Sequence, residues 1–154
     1  MKKKIICLFV VLTLAGLNCL SAQMTKAQLQ NMYVTYLRAQ GYSPSVDSDG
    51  DVNFTAHGQR FYIDVMEDDL QSFRIVLTNF IDIGPASNRL RALEAAGLEI
   101  NTTKTIRFII ASNNRIAIDS FIFVGRPQDF ELHLNRMVNN IITARTDFLA
   151  RLGR

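Results

Sequence analysis

From Thr25 onward the hydrophobic positions follow first one period and then another. Leu29, Met32, Tyr33, Tyr36 and Leu37 recur at helical spacing behind Thr25-Lys26-Ala27-Gln28, a segment with the form of a capping box, and Gly41 supplies a stop. The spacing predicts a helix from Thr25 to Gln40 whose apolar face must lie on something. Alternation then takes over. Val46 precedes the turn signal Asp47-Ser48-Asp49-Gly50, and Val52 and Phe54 resume the pattern within Asp51 to Thr55. After a second turn at His57-Gly58-Gln59, Phe61, Ile63 and Val65 share one face and Tyr62, Asp64 and Met66 the other. Past Asp68 and Asp69, Phe73, Ile75 and Leu77 alternate with Arg74, Val76 and Thr78, so three or four short strands form an antiparallel meander.

The helical period returns between Pro85 and Asn101, where Leu90, Leu93, Ala96 and Ile100 are spaced as one face and Gly97 is a weak point near the end. Ile106 to Ala111 and Arg115 to Val124 are β-rich runs joined by Ser112-Asn113-Asn114, a further hairpin. Pro127 opens the longest predicted helix, with Phe130, Leu134, Met137, Val138, Ile141, Phe148 and Leu152 in one stripe. The order α-β-β-β(-β)-α-β-β-α, with no internal repeat or linker, predicts one α+β domain over residues 23–154, built on an antiparallel sheet of five to six strands.

The first 22 residues follow a different pattern. Lys2, Lys3 and Lys4 precede an apolar run from Ile5 to about Leu17, and Ser21-Ala22 offers small residues ahead of Gln23; these are the three parts of an export signal. Thr13, Gly16, Asn18 and Cys19 make the stretch short for spanning about 30 Å of hydrocarbon. Cleavage after Ala22 is expected, leaving a periplasmic or secreted domain with no stable membrane span. Asn18, large and polar, argues against lipid attachment at Cys19. Both cysteines, Cys7 and Cys19, fall within this leader, so the mature chain holds no disulfide, thiolate nucleophile or cysteine metal site.

Composition adds two limits. With 48% hydrophobic and 20% charged residues over a length of 154, the chain buries a sizeable core and is not disordered. Three of the 17 Lys and Arg are Lys2 to Lys4; the other 14 balance 14 Asp and Glu, so the net charge of +3 belongs to the leader. A nucleic acid is therefore not an expected partner.

The segments Tyr36-Leu37, Gly41-Tyr42, Val46 to Phe54, Tyr62-Ile63, Asp68-Asp69 and Phe73-Arg74, with the later Arg91-Ala92-Leu93-Glu94-Ala95-Ala96 and Asn101, resemble the small YbjN-type domains. The similarity extends over nearly all of Thr25 to Leu152 and rests on pattern and turns. That family shares the fold of type III secretion chaperones. The resemblance implies helices covering one face of a curved antiparallel sheet, a binding or regulatory role, frequent dimers and no established enzymatic activity. The export signal is a departure from secretion chaperones, which act in the cytoplasm.

Residues suited to chemistry have plainer readings. Asp47, Asp49 and Asp51 around Gly50 invite calcium, but an EF-hand loop starting at Asp47 would need Gly where Val52 stands and Glu where Gly58 stands. A tight turn accounts for the same residues. Glu67, Asp68 and Asp69 are adjacent on a turn and ill placed to converge on one substrate atom. His57 belongs to a turn, and His133 to the flank of the last helix. Triads assemble across a fold, so a small envelope hydrolase built around His133, Asp119 and a Ser or Thr remains the second reading. No metal or cofactor is expected. Arg145 interrupts the apolar stripe of the last helix; its stem snorkels to water, or it pairs with a carboxylate such as Asp119.

The second face of the sheet is the more informative feature. With Phe61, Ile63, Val65, Phe73, Ile75 and Leu77 toward the helices, Tyr62, Met66, Val76, Ile109, Phe121 and Phe123 point away, interleaved with Asp64, Arg74, Arg107 and Asp119. A mixed apolar and charged surface suits protein or peptide contact, unless the terminal helix or a register change covers it. The expected function is a non-enzymatic binding or regulatory module of the cell envelope. Its expected binding residues are Tyr62, Met66, Val76, Arg107, Ile109, Phe121, Phe123 and Arg145, with a protein or peptide as ligand and a homodimer as a candidate partner.

Overall fold

The structure is a computed structural model that describes residues 24–85, 88–102 and 105–154, with side chains at all of these except 79 and 98–102. The expected leader, Met1 to Ala22, and the side chain of Ile100 lie outside that description. Helix α1 (Lys26–Ala39) starts as its sequence predicts. The Thr25 hydroxyl accepts from the Gln28 N–H at 3.3 Å, and the Gln28 carboxamide oxygen accepts from the Thr25 N–H at 2.8 Å. This box satisfies helix donors that have no partner within the helix. Leu29, Tyr33, Val34 and Leu37 form the buried face.

Four strands follow, β1 (Ser45–Val46), β2 (Val52–Ala56), β3 (Gln59–Ile63) and β4 (Ser72–Asp82), then α2 (Arg89–Thr102), β5 (Ile106–Ile110), β6 (Arg115–Phe123), a short 3-10 helix (Pro127–Leu132) and α3 (Leu134–Leu152). The six strands form one antiparallel sheet in the order β1-β2-β3-β4-β6-β5. Between β2 and β3, His57 and Gly58 both adopt positive φ, 50° and 69°, which gives the tight turn a twist matching its strands. The fold class is thus α+β with the predicted element order.

Three local departures have physical causes. Strand β4 runs past Thr78 to Asp82 because its register slips: Leu77 pairs with Ile118, but Ile81 pairs with Ile116. The extra residues break the alternation on which the shorter strand was predicted. Pro127 opens a 3-10 helix rather than the α-helix itself, and α3 begins only after His133. In α2 the buried face is Ala92, Ala95 and Ala96, while Leu90 and Leu93 are exposed. Small side chains let α2 approach Ile83, Ile116 and Phe148 closely, and the bulkier leucines turn outward.

All three helices lie on one side of the sheet. Helix α1 packs on β2 and the 3-10 helix, α3 on β4, β5 and β6, and α2 on α3 and β5. Beneath them Phe61, Ile63, Phe73, Ile75, Leu77 and Ile118 are fully buried. Phe130 of the 3-10 helix joins the layers, 4.9 Å edge-on from the Tyr33 ring and 5.3 Å from Phe73. Among the described residues no helix is long and apolar enough to cross a membrane.

Candidate functional site: the open face of the sheet

Strand register fixes which side chains meet on the face away from the helices. One row runs Asn53, Tyr62, Val76, Asp119, Arg107 from β2 to β5. The next places Arg74 opposite Phe121, with Asp64 bonding to Arg74 through its backbone N–H, and a third sets Ser72 opposite Phe123. Directly opposite side chains on one face lie close enough to interact.

Asp119 is the centre of this face and only 1% exposed. Its carboxylate accepts from Arg74 Nε at 2.7 Å, from Arg107 Nε at 3.1 Å and from Arg107 Nη2. Arg74 Nη1 also donates to Asp64 at 3.1 Å. A carboxylate in mid-strand is tolerable without water only when paired in this way. Burial works to lower the Arg74 pKa, but the bonds to Asp119 and Asp64 outweigh it and raise the pKa above its ordinary value. The Tyr62 phenol is raised as well, first by burial.

Around this charge network the surface is apolar. The Phe121 and Phe123 rings meet edge to face at 5.0 Å, and Phe123 is 74% exposed. Met66 and Ile109 are half-buried. Beside Met66 lies a shallow depression of about 410 Å³, bounded also by Arg74, Thr105, Arg107, Asp119 and Phe121. A planar guanidinium beside exposed aromatic rings can take both hydrogen-bonding and apolar parts of a ligand.

Six of the eight expected binding residues, Tyr62, Met66, Arg107, Ile109, Phe121 and Phe123, lie accessible on this face. Val76 shares the face but is 2% exposed, because it occupies a central strand between Tyr62 and Asp119, and so it offers little contact surface. Arg145 belongs to the covered side. Its guanidinium lies 5.6 Å from the Phe80 ring centre, and Asp119 is held instead by Arg74 and Arg107. Arg145 Nε is buried and has no hydrogen-bond partner among the described residues. The role of Asp119 as a hub was visible only in hairpin symmetry: Arg107 and Asp119 are equidistant from Asn113, so a hairpin turning there sets them opposite each other.

The other candidates do not converge on a reactive centre. His133 lines a cleft on the helix side with Thr105, Ile122, Arg136, Met137 and Asn140, whereas Asp119 faces the opposite side of the sheet. The hydrolase constellation of these two residues is not assembled. Asp47 accepts from the N–H groups of Asp49 and Asp51, both at 3.0 Å, and from the Asn53 amide at 2.7 Å. Asp51 accepts from the Val65 N–H at 3.1 Å. Glu67 accepts from the Lys26 N–H at 3.1 Å, and Asp69 bonds the Gln71 N–H and the Ser72 hydroxyl. These carboxylates brace turns and a helix start. Among the described residues no group of three or more His, Cys, Asp or Glu is placed to hold a metal.

No protein-family model matches the chain, and no curated protein does. Among solved structures, the fold is similar to the crystal structure of an uncharacterized protein from Methanothermobacter thermautotrophicus, with 14% identity and a TM-score of 0.52 over 79% of this chain and 94% of that one. At that identity the likeness shows the fold alone.

Proposed function

We propose that the protein is an exported, non-enzymatic binding module that takes a protein or peptide on its open sheet face and also self-associates. The observation that carries this reading is the exposed Phe123 ring packed on half-buried Phe121 beside the Asp119 network, on a face that none of the described elements covers. Aromatic and Arg side chains are the groups that dominate binding energy at protein interfaces. Burying each large side chain contributes about 1.5–3 kcal/mol, enough in sum to hold a complex after the entropy of association is subtracted. The leader pattern of Met1 to Ala22 supports an envelope location. The resemblance to YbjN-type domains supports binding over catalysis.

Phe123→Asp tests the reading, because an exposed position tolerates the change with a stability effect of about 0.5 kcal/mol or less. The variant should keep the native circular dichroism spectrum and lose a protein ligand that the native domain retains from envelope extract. Equal retention by both proteins would show that the ligand binds elsewhere.

A further inference from the structure

We propose that two copies of this chain join edge to edge through β5, so that one sheet continues across a two-fold axis at Phe108. The proposal rests on the self-association in the reading above and is separate from what the open face binds. Strand β5 ends the sheet, and among the described residues no strand pairs with its outer side. Thr105 bonds to Phe121 and Ala111 to Arg115 across the β5–β6 ladder. By alternation Arg107 and Ile109 also bond inward, and Ile106, Phe108 and Ile110 turn their N–H and C=O groups to the free edge. Arg89 Nη2 reaches the Ile110 carbonyl at 3.5 Å, and among the described residues nothing bonds the outward groups of Ile106 and Phe108.

Edge strands are commonly blunted by proline, by several charges or by a covering element. Here the edge reads Ile-Arg-Phe-Ile-Ile, and its one charged side chain, Arg107, is bonded to Asp119 on the open face. Helix α2 adds an apolar flank. Arg89 stands on the β5 side of that helix, as its contact with Ile110 shows, whereas Arg91 turns to the other flank, where it lines a cleft with Leu152 and Arg154. Leu93 is one turn on from Arg89 and shares its flank, so this leucine, 52% exposed, borders the free edge.

Self-pairing favours one register. An antiparallel pair centred on Phe108 sets Phe108 opposite the partner's Phe108 and Ile106 opposite the partner's Ile110, so that the partner's Ile106 N–H becomes a second donor to the Ile110 carbonyl beside Arg89. It also sets Arg107 opposite the partner's Ile109, whereas centring on Arg107 would oppose two like charges. A two-fold axis normal to the sheet keeps both sets of helices on one side, where the Leu93 flanks of both copies border the same seam.

The test uses protein purified from its native host in the form that accumulates there. Sedimentation across a concentration series should show a monomer–dimer equilibrium, and amide exchange at Ile106, Phe108 and Ile110 should slow as the dimer fills. Ile109→Arg places a cation opposite Arg107 twice in the symmetric seam and should weaken the dimer about tenfold, while Ile109→Glu should preserve or tighten it. A monomer at all concentrations overturns the proposal. So does a dimer whose three edge amides exchange at the monomer rate, or one equally indifferent to both Ile109 variants. A dimer abolished by Phe123→Asp and untouched by Ile109→Arg would move self-association to the open face and leave the binding reading standing.

Discussion

Asp119 illustrates how much one residue sets on this surface. It neutralises Arg74 and Arg107 while nearly fully buried, so its removal leaves two cations on adjacent rows with no shared counter-charge. Breaking a fully buried pair costs about 3–5 kcal/mol, but Arg107 is 64% exposed and can turn to water. Asp119→Ala should therefore destabilise by about 2 kcal/mol in denaturant unfolding, and Arg107→Ala by under about 1 kcal/mol. Equal and negligible losses would mean that the network contributes no stability. Tyr33 gives a prediction at high pH. Burial, assisted by the charge of Asp64, raises its phenol from 10.0 to about 12. The folded form thus resists ionisation, and the associated stability is complete below pH 10 and lost as pH rises through about 12, a change of roughly 2 kcal/mol. Melting curves from pH 9 upward should show that decline flatten in Tyr33→Phe. Asp47 acts at the acid end. Burial opposes its charge, but the hydrogen bonds from Asn53 and the turn backbone hold its pKa below the ordinary 3.8. Its contribution is complete above 3.8 and lost as pH falls through the folded value, so acid unfolding should shift to higher pH in Asp47→Ala.

At the scale of elements, local chemistry was legible and choices between faces were not. The α1 capping box, the His57-Gly58 turn and the alternation from Phe61 to Leu77 are each encoded within a few residues, and each stands where the pattern put it. The face read for helix α2 put Leu90 and Leu93 with Ala96 inward, but Ala92, Ala95 and Ala96 fall at helical spacing too, and close approach to Ile83 and Phe148 decided for the alanines. The β4 bulge and the stacking of Arg145 on Phe80 depend on partners far along the chain, which a one-dimensional pattern cannot rank. Of the candidate site, the outward face was readable from alternation, but the burial of Val76 and Asp119 came from neighbouring strands. Gly97 offers a check on α2 itself. It has no positive φ, and among the described residues nothing lies within 4 Å of where a methyl group would stand. Gly97→Ala should stabilise the domain by about 0.5–1 kcal/mol, read as an upward shift of the denaturation midpoint. A loss of stability would mean that α2 packs more tightly there than the open space allows.

For the whole molecule, the separation of faces is the organising fact. The helices and two apolar clusters occupy one side of the sheet, and the other side carries paired charges framed by the exposed Phe123 and half-buried Phe121 rings. Stability and recognition are thereby assigned to different surfaces of the same strands, which is why Phe123 can change while Phe73 and Phe61 cannot. In-cell photocrosslinking from position 123 tests this most directly, with position 38 on α1 as the control. A discrete protein or peptide adduct from position 123, suppressed by Phe121→Asp and absent from position 38, is the predicted result. No adduct from position 123, or the same adducts from both positions, would contradict the assignment of the open face as the binding surface.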